Sequence, residues 1–276
     1  MLFRSAFNRP GRRLVTAALA LALAAGVAGC GTSPMTTGSI KSGSGKSVAN
    51  MSESELSGAS AALGKAYAKD TTNKSTALRY ANVLQISGQT DQALAVMRKL
   101  AITYPKDREV LAAYGKALAG VGQLEPALDA VRRAQTPEYP DWRLASAEGA
   151  ILDQLGQTAQ ARELYRKALD LKPNDPSVLS NLGMSYVLEG DLKTAETYLR
   201  TASQSREADS RVRQNLALVV GLQGRFDEAE QIASQELSPD QAQANVAYLR
   251  KMLAQQNAWS QLKAEDKKSG GETNTN

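Results

Sequence analysis

The chain of 276 residues contains no histidine and a single cysteine, Cys30. Without imidazole it lacks the commonest general base and metal ligand, and without a second thiol it can form no disulfide within itself. No Ser-His-Asp triad, Cys-His pair or zinc site can be assembled from what remains, and no calcium-loop pattern occurs. Aromatic residues make up only 5% of the chain, and no Lys/Arg cluster interleaved with aromatics marks a nucleic-acid surface. The carboxylates Glu163, Asp170, Glu189 and Asp191 stand at solvated positions of a helical pattern. These absences point away from an enzyme, from any metal or other cofactor, and from a small-molecule substrate. Stability has to come from helix packing.

What is present is a repeat. Gly-x-x-x-x-Ala recurs at Gly88/Ala93, Gly122/Ala127, Gly156/Ala161, Gly190/Ala195 and Gly224/Ala229, each copy 34 residues after the last. Five glycines in that register would arise by chance about two times in a million. With this Gly as the fifteenth position, the units begin at Lys74, Arg108, Trp142, Pro176 and Ser210. The eighth position is then always small: Ala81, Gly115, Gly149, Gly183 and Ala217. Small residues at positions eight and twenty let two helices of one unit approach closely, and the Gly can take φ > 0 to turn the chain back. Position eleven (Leu84, Leu118, Leu152, Tyr186, Val220) and position twenty-four (Met97, Val131, Tyr165, Leu199, Ala233) supply the apolar filling.

A 34-residue helix–turn–helix period resembles the tetratricopeptide (TPR) family over about Lys74 to Asp240. The best copy is Leu179-x-x-Leu182-Gly183-x-x-Tyr186 with Ala195 and Ala202. The departures include Glu148 in place of an apolar seventh residue, Arg213 in place of an apolar fourth, and a terminal Pro that is present at Pro105 and Pro173 but shifted by one at Pro140 and replaced by Glu207. The resemblance implies an all-α fold, a right-handed superhelical solenoid of helix–turn–helix repeats at 74–107, 108–141, 142–175, 176–209 and 210–240.

Residues 1–29 read as a cleaved signal peptide of the lipoprotein type. Arg4, Arg9, Arg12 and Arg13 precede an uncharged apolar run, Leu14 to Gly29, too short for a membrane span of about 20 residues. Val27-Ala28-Gly29-Cys30 resembles the lipobox of bacterial lipoproteins, which implies a lipidated Cys30, whereas a lone buried thiol is the plain alternative. Acyl chains there would anchor the protein, and by analogy with lipoprotein sorting Gly31 favours the outer membrane, periplasmic face. The formal charge of +5 includes those four arginines, so the chain after Gly29 carries one net positive charge. The sequence pI of 9.2 is therefore no nucleic-acid signal.

Residues 30–53 are rich in Gly, Ser, Thr and Lys and read as a flexible tether. Gly43-x-Gly45-Lys46-Ser47 resembles the end of a P-loop but lacks its first Gly and its strand. Residues 54–73 keep repeat register, with Ala59, Leu63 and Ala66 one period before Ala93, Met97 and Leu100. They are expected to form a half-repeat that caps the first full unit. After Pro239 the register fails. A C-terminal capping helix is expected over 241–263, with Ser238 or Asp240 as cap and Ala242, Val246, Leu249 and Leu253 on one stripe beside Tyr248, Met252, Trp259 and Leu262. Residues 264–276 are polar and expected to be disordered.

In the TPR family the second, fifth, ninth, twelfth and thirteenth positions commonly face a concave groove. In the first three units these include Leu78, Asn82, Gln85, Ala112, Lys116, Arg143, Ser146, Ala150 and Asp153. Of the two-carboxylate clamp of chaperone-binding members, only Asn82 and Lys116 are of suitable type. Units four and five place Met184, Val187, Leu188, Leu218 and Leu222 there, a run that fits either burial against neighbouring helices or a groove for an amphipathic helix or extended peptide.

The whole layout, with Arg225-Phe226-Asp227-Glu228-Ala229 and Asn245-Val246-Ala247-Tyr248-Leu249-Arg250, resembles the TadD-type lipoproteins of the tight-adherence (Tad) Flp-pilus assembly system. That resemblance implies a non-catalytic scaffold on the outer membrane that binds protein partners of the secretion apparatus, a secretin or its assembly factors. An adaptor for peptidoglycan-remodelling enzymes would share every feature.

Overall fold

The computed structural model describes residue 48, residues 51–136 and residues 138–269, with side chains described up to residue 256. The signal peptide, Cys30, nearly all of the tether and residues 270–276 lie outside the described residues. Among the described residues there are twelve α-helices and no strand beyond an isolated bridge between Thr136 and Tyr139. Two compact units divide the chain, one running to Pro173 and the other starting at Asn174. Asn174 is the one non-glycine residue with positive φ among the described residues, at 59°.

The first unit holds α1 (Glu53–Lys69) and three hairpins: α2 (Lys74–Ile86) with α3 (Thr90–Thr103), α4 (Arg108–Gly120) with α5 (Leu124–Ala134), and α6 (Trp142–Gln154) with α7 (Thr158–Leu171). The second holds α8 (Pro176–Glu189) with α9 (Leu192–Ser203), α10 (Ser210–Leu222) with α11 (Phe226–Ala233), and the long α12 (Pro239–Ser269).

Each hairpin starts and turns by the same local chemistry. The residue before each first helix is Asn73, Asp107, Asp141, Asp175 or Asp209, again at 34-residue spacing, and each side chain accepts a backbone N–H of the first turn. These caps satisfy donors that helix geometry leaves without partners. At the other end the fifteenth-position glycines adopt φ of 74–86°. The residue after each donates its N–H back to the carbonyl of position eleven, as in Gln89 to Leu84 at 2.8 Å and Asp191 to Tyr186 at 3.1 Å. This is the Schellman closure, which a residue with a Cβ would strain.

The eighth position is small because it has no room. A Cβ on Gly115 would lie 2.7 Å from Val131 Cγ2 and 3.1 Å from the carbonyl oxygen of Ala127. On Gly149 it would meet Tyr165 at 2.8 Å and the Ala161 carbonyl at 3.1 Å. Position eight therefore touches positions twenty and twenty-four of its own hairpin. Ala is found at position eight only where position twenty-four is flexible Met97 or small Ala233. The filling residues of positions eleven and twenty-four are buried except Tyr186, which is half-buried and stacks on Tyr198 with ring centroids 5.6 Å apart, giving one apolar seam per hairpin.

Helix α1 packs on α2, where the rings of Tyr67 and Tyr80 stand 5.6 Å apart. It begins in a capping box: Ser52 accepts the Glu55 N–H while the Ser52 N–H donates to Glu55 Oε2 at 2.7 Å. None of its residues is buried. At the C-terminal end Ser238 caps α12 through a reciprocal pair with Gln241. Ala242, Val246 and Leu249 are buried there, and Ala242 joins Ala217 and Ala233 in one cluster. Tyr248, expected beside that stripe, is 64% exposed instead. The side chains of Trp259 and Leu262 lie outside the described residues. The helix also runs to Ser269, six residues past its expected end, because Lys263 to Ser269 contains neither Gly nor Pro and is rich in helix formers.

Candidate binding surfaces

The two charged departures from the apolar repeat pattern are structural. Glu148 is buried, and its carboxylate accepts Arg132 Nε at 2.7 Å and Gln135 Nε2 at 3.1 Å. Arg213 pairs with Glu236 and donates to the Ala208 carbonyl. Both charges thus sit at apolar positions with an ionic partner, which is how buried charge is tolerated. The sequence pattern flagged the residues but not the partners, which lie 16 and 23 positions away.

In the first unit the expected groove residues are all half-buried or buried. Asn82, Lys116 and Asp153 are each half-buried. Asp153 Oδ2 accepts the Tyr165 hydroxyl at 2.9 Å, so it fastens α6 to α7. The Arg143 guanidinium lies over the Trp142 ring at 4.5 Å, a ring that Lys172 also approaches at 4.7 Å. Ala112 and Ser146 are buried. Lys74 binds Asp107 at 2.8 Å and Glu109 at 3.1 Å, joining the first and second repeats. Those two carboxylates hold the Lys74 ammonium above its ordinary pKa.

The second unit is different. Met184 and Leu188 on α8 and Leu218 and Leu222 on α10 are all half-buried, and α8 and α10 pack on one another. The hydroxyl of Ser180, a fifth-position residue, accepts Asn215 Nδ2 at 3.0 Å, which ties the two helices together. Val187, read from sequence with this set, is fully buried and belongs to the core. Four apolar side chains therefore recur at groove positions on two adjoining helices. That arrangement can hold an apolar face of a partner helix or peptide.

A charged seam joins the two hairpins of this unit. Glu196 on α9 accepts Arg200 and Gln223 Nε2, at 2.7 and 2.8 Å, and also Arg225. Arg225 Nη1 in turn reaches Glu228 at 2.9 Å. Burial pushes the Glu196 carboxyl up, but the hydrogen bonds from Gln223, Arg200 and Arg225 outweigh it and hold the group below its ordinary pKa. The seam spends its charge inside the protein.

Glu163, Asp170, Glu189 and Asp191 are exposed, and Asp191 caps α9 through the Thr194 N–H. Among the described residues no group of three or more His, Cys, Asp or Glu is placed to hold a metal ion, and no helix is long and apolar enough to cross a membrane.

Helical hairpins of 34 residues, closed by a left-handed glycine and packed through a small eighth position, define a tetratricopeptide-repeat fold, a class of scaffold for protein–protein contact. Residues 51–117 match the family model described as tetratricopeptide repeat, and residues 149–190 match a second, described as TPR repeat. The fold is similar to that of PilW, described as a widely conserved type IV pilus biogenesis factor, at 19% identity and a TM-score of 0.56, covering 89% of this chain and 100% of that one. It is also similar to a thermophilic TPR protein in Thermus thermophilus, at 23% identity and a TM-score of 0.56, over 63% of this chain and 97% of that one. A TPR protein from Parabacteroides merdae aligns at 16% identity and a TM-score of 0.54, over 81% and 88% of the two chains. No curated protein matches the chain. At these identities the likeness is one of fold.

Proposed function

We propose that this chain is a non-catalytic outer-membrane lipoprotein of the periplasmic face that binds protein partners through its second unit and serves assembly or localisation of the Tad/Flp-pilus secretion apparatus. The observation that carries the binding reading is the half-buried apolar set Met184, Leu188, Leu218 and Leu222 on adjoining α8 and α10. The finer assignment is supported by the order of lipobox, polar tether, half-repeat and five repeats, which resembles TadD-type lipoproteins. A pilus biogenesis factor of similar fold, PilW, is consistent with it. Lipidation at Cys30 supplies the anchor in this reading.

The test is a cross-linking capture from native envelopes, comparing the wild type with the pair Leu188→Asp and Leu218→Asp, with circular dichroism on the same preparations. Contacts of this kind owe most of their affinity to a few central residues. A secretin or its assembly factors captured by wild type, lost in the variant with helicity unchanged, supports the proposal. Recovery of cell-wall hydrolases instead moves the chain to the peptidoglycan adaptors. Loss of helicity assigns the patch to the core.

A further inference from the structure

Helix α12 keeps the register of a first helix but arrives four residues early. Its buried residues Ala242, Val246 and Leu249 repeat the spacing of Val212, Leu216 and Val219 on α10, each 30 residues later instead of 34. Those are positions three, seven and ten, which are buried on α8 as well, at Val178, Leu182 and Ser185. The shortfall lies in α11, which has 8 residues where the other second helices have 11 to 14. α12 packs on the two helices before it, α10 and α11, as α10 packs on α8 and α9. A Cβ on Gly221 would stand 2.5 Å from Leu249 Cδ2, so position twelve of α10 is bare where position ten of α12 crosses it.

In this register Tyr248 and Met252 take positions nine and thirteen. These are the places of Met184 and Leu188 on α8 and of Leu218 and Leu222 on α10. Met252 is half-buried like those four, while Tyr248 leaves a large ring 64% exposed. Two apolar side chains one turn apart thus recur on three successive helices. Gln243, Ala247 and Arg250, at positions four, eight and eleven, are exposed on a different face of α12.

We infer that these three helices form one surface for an amphipathic helix with an acidic flank, and that Tyr248 and Lys251 set which helix it accepts. This rests on the binding reading of α8 and α10 and extends it to α12. Adjoining helices lie about 8–10 Å apart, so the six side chains span roughly 20 Å, the length of about 13 helical residues. An extended peptide would lay its own N–H and C=O groups against two rows whose only hydrogen-bonding side-chain group is the Tyr248 hydroxyl. A helix satisfies those groups internally. Charge sets the flank. At positions two, five, nine, twelve and thirteen of α8, α10 and α12 no acidic residue occurs, and two basic ones do, Arg211 and Lys251. Arg211 is held by Asp209 at 2.9 Å. Lys251 is exposed, and position twelve is the side that α10 turns toward α12, so on α12 it faces outward at the end of the rows. An acidic residue of the partner belongs there.

The probes are three synthetic peptides of about 15 residues sharing one leucine stripe of helical spacing: one flanked by Glu, one by Lys, and one Glu-flanked with a central Pro. Binding to the purified full chain is read by fluorescence anisotropy. The helical Glu peptide is expected to bind roughly tenfold more tightly than either of the others. Tyr248→Ala should weaken it roughly fivefold, Lys251→Glu should reverse the preference between Glu and Lys flanks, and Gln243→Ala should change neither. All three residues are exposed, so circular dichroism should show unchanged helicity. Leu218→Asp separates this inference from the reading beneath it. If Leu218→Asp abolishes binding while Tyr248→Ala or Lys251→Glu leaves it as in wild type, the inference falls and the surface on α8 and α10 stands. Equal binding of the Pro peptide overturns the helical occupant. A wild type that binds no peptide overturns the inference too, and the envelope capture then judges α8 and α10 alone.

Discussion

A Cβ built on Gly183 would stand 2.9 Å from Leu199 Cγ and 3.1 Å from the carbonyl oxygen of Ala195. The backbone of α9 cannot retreat from a new methyl group without opening the rest of its hairpin. Gly183→Ala should therefore cost on the order of 1–3 kcal/mol by overpacking. Leu199→Ala alone leaves a cavity and should cost about 2–5 kcal/mol. The double variant reproduces the Ala217/Ala233 pairing of the fifth repeat and should cost less than the sum of the two. Denaturant titration of the three variants measures the coupling, and strict additivity would contradict the contact.

The fifteenth-position glycines are constrained for another reason. Gly190 has φ of 86° and nothing within 4 Å of a Cβ position. Gly190→Ala should cost about 1–2 kcal/mol from backbone strain alone, and Gly190→Asn less, since Asn tolerates that region better. Equal midpoints for Ala and Asn would show that strain is not the cause.

Glu148 and Arg132 are unequal partners: the Glu side chain is 12% exposed and the Arg 53%. Arg132→Ala should destabilise by about 1–3 kcal/mol, because it removes the main donor from a buried carboxylate. Glu148→Leu restores the family's apolar residue and releases Arg132 to water, so thermal melting should be unchanged or higher. A larger loss from Glu148→Leu than from Arg132→Ala would reverse this account.

The Glu196 seam has a definite pH signature. Its carboxyl is held below the ordinary carboxylate range when folded, so the unfolded chain takes up the proton first as pH falls. The stabilisation is complete above the ordinary value and is lost as pH drops through the lower folded one. Glu196→Gln should lower stability near neutrality and flatten its fall on acidification. Parallel stability-versus-pH curves for the two proteins would remove Glu196 from that role.

The caps make a simpler case. Asp175 is buried and accepts the N–H groups of Ser177 and Val178, at 3.0 and 3.1 Å. Asp175→Ala should cost about 1 kcal/mol or more, and Asp175→Asn or Ser much less. Chemical denaturation of the three proteins would check the order.

The hairpins were legible because their constraints are local and periodic. Gly88 to Gly224 and the small eighth positions each answer to atoms within about 16 residues, and such answers repeat at fixed spacing. The Asn73/Asp107/Asp141/Asp175/Asp209 series was equally visible at the same period, though it only becomes meaningful once each is seen to cap a helix. Pairings across repeats were not legible. Arg132 with Glu148 and Arg225 with Glu196 depend on how one hairpin lies on the next, and no spacing rule announces them. The same holds for Val187 beside Leu188: both are apolar at groove positions, yet Val187 is core and Leu188 half-buried. Tyr248 likewise follows the periodicity of α12 but not its burial.

Because every hairpin opens with its own Asx cap and closes with its own left-handed glycine, the punctuation of the fold is carried inside each 34-residue module. An in-frame duplication of about 102 nucleotides, wherever it begins within the array, would copy a complete set of signals and leave no helix end unsatisfied. Repeat number is in that sense a heritable dial, turned by slippage at the level of the gene.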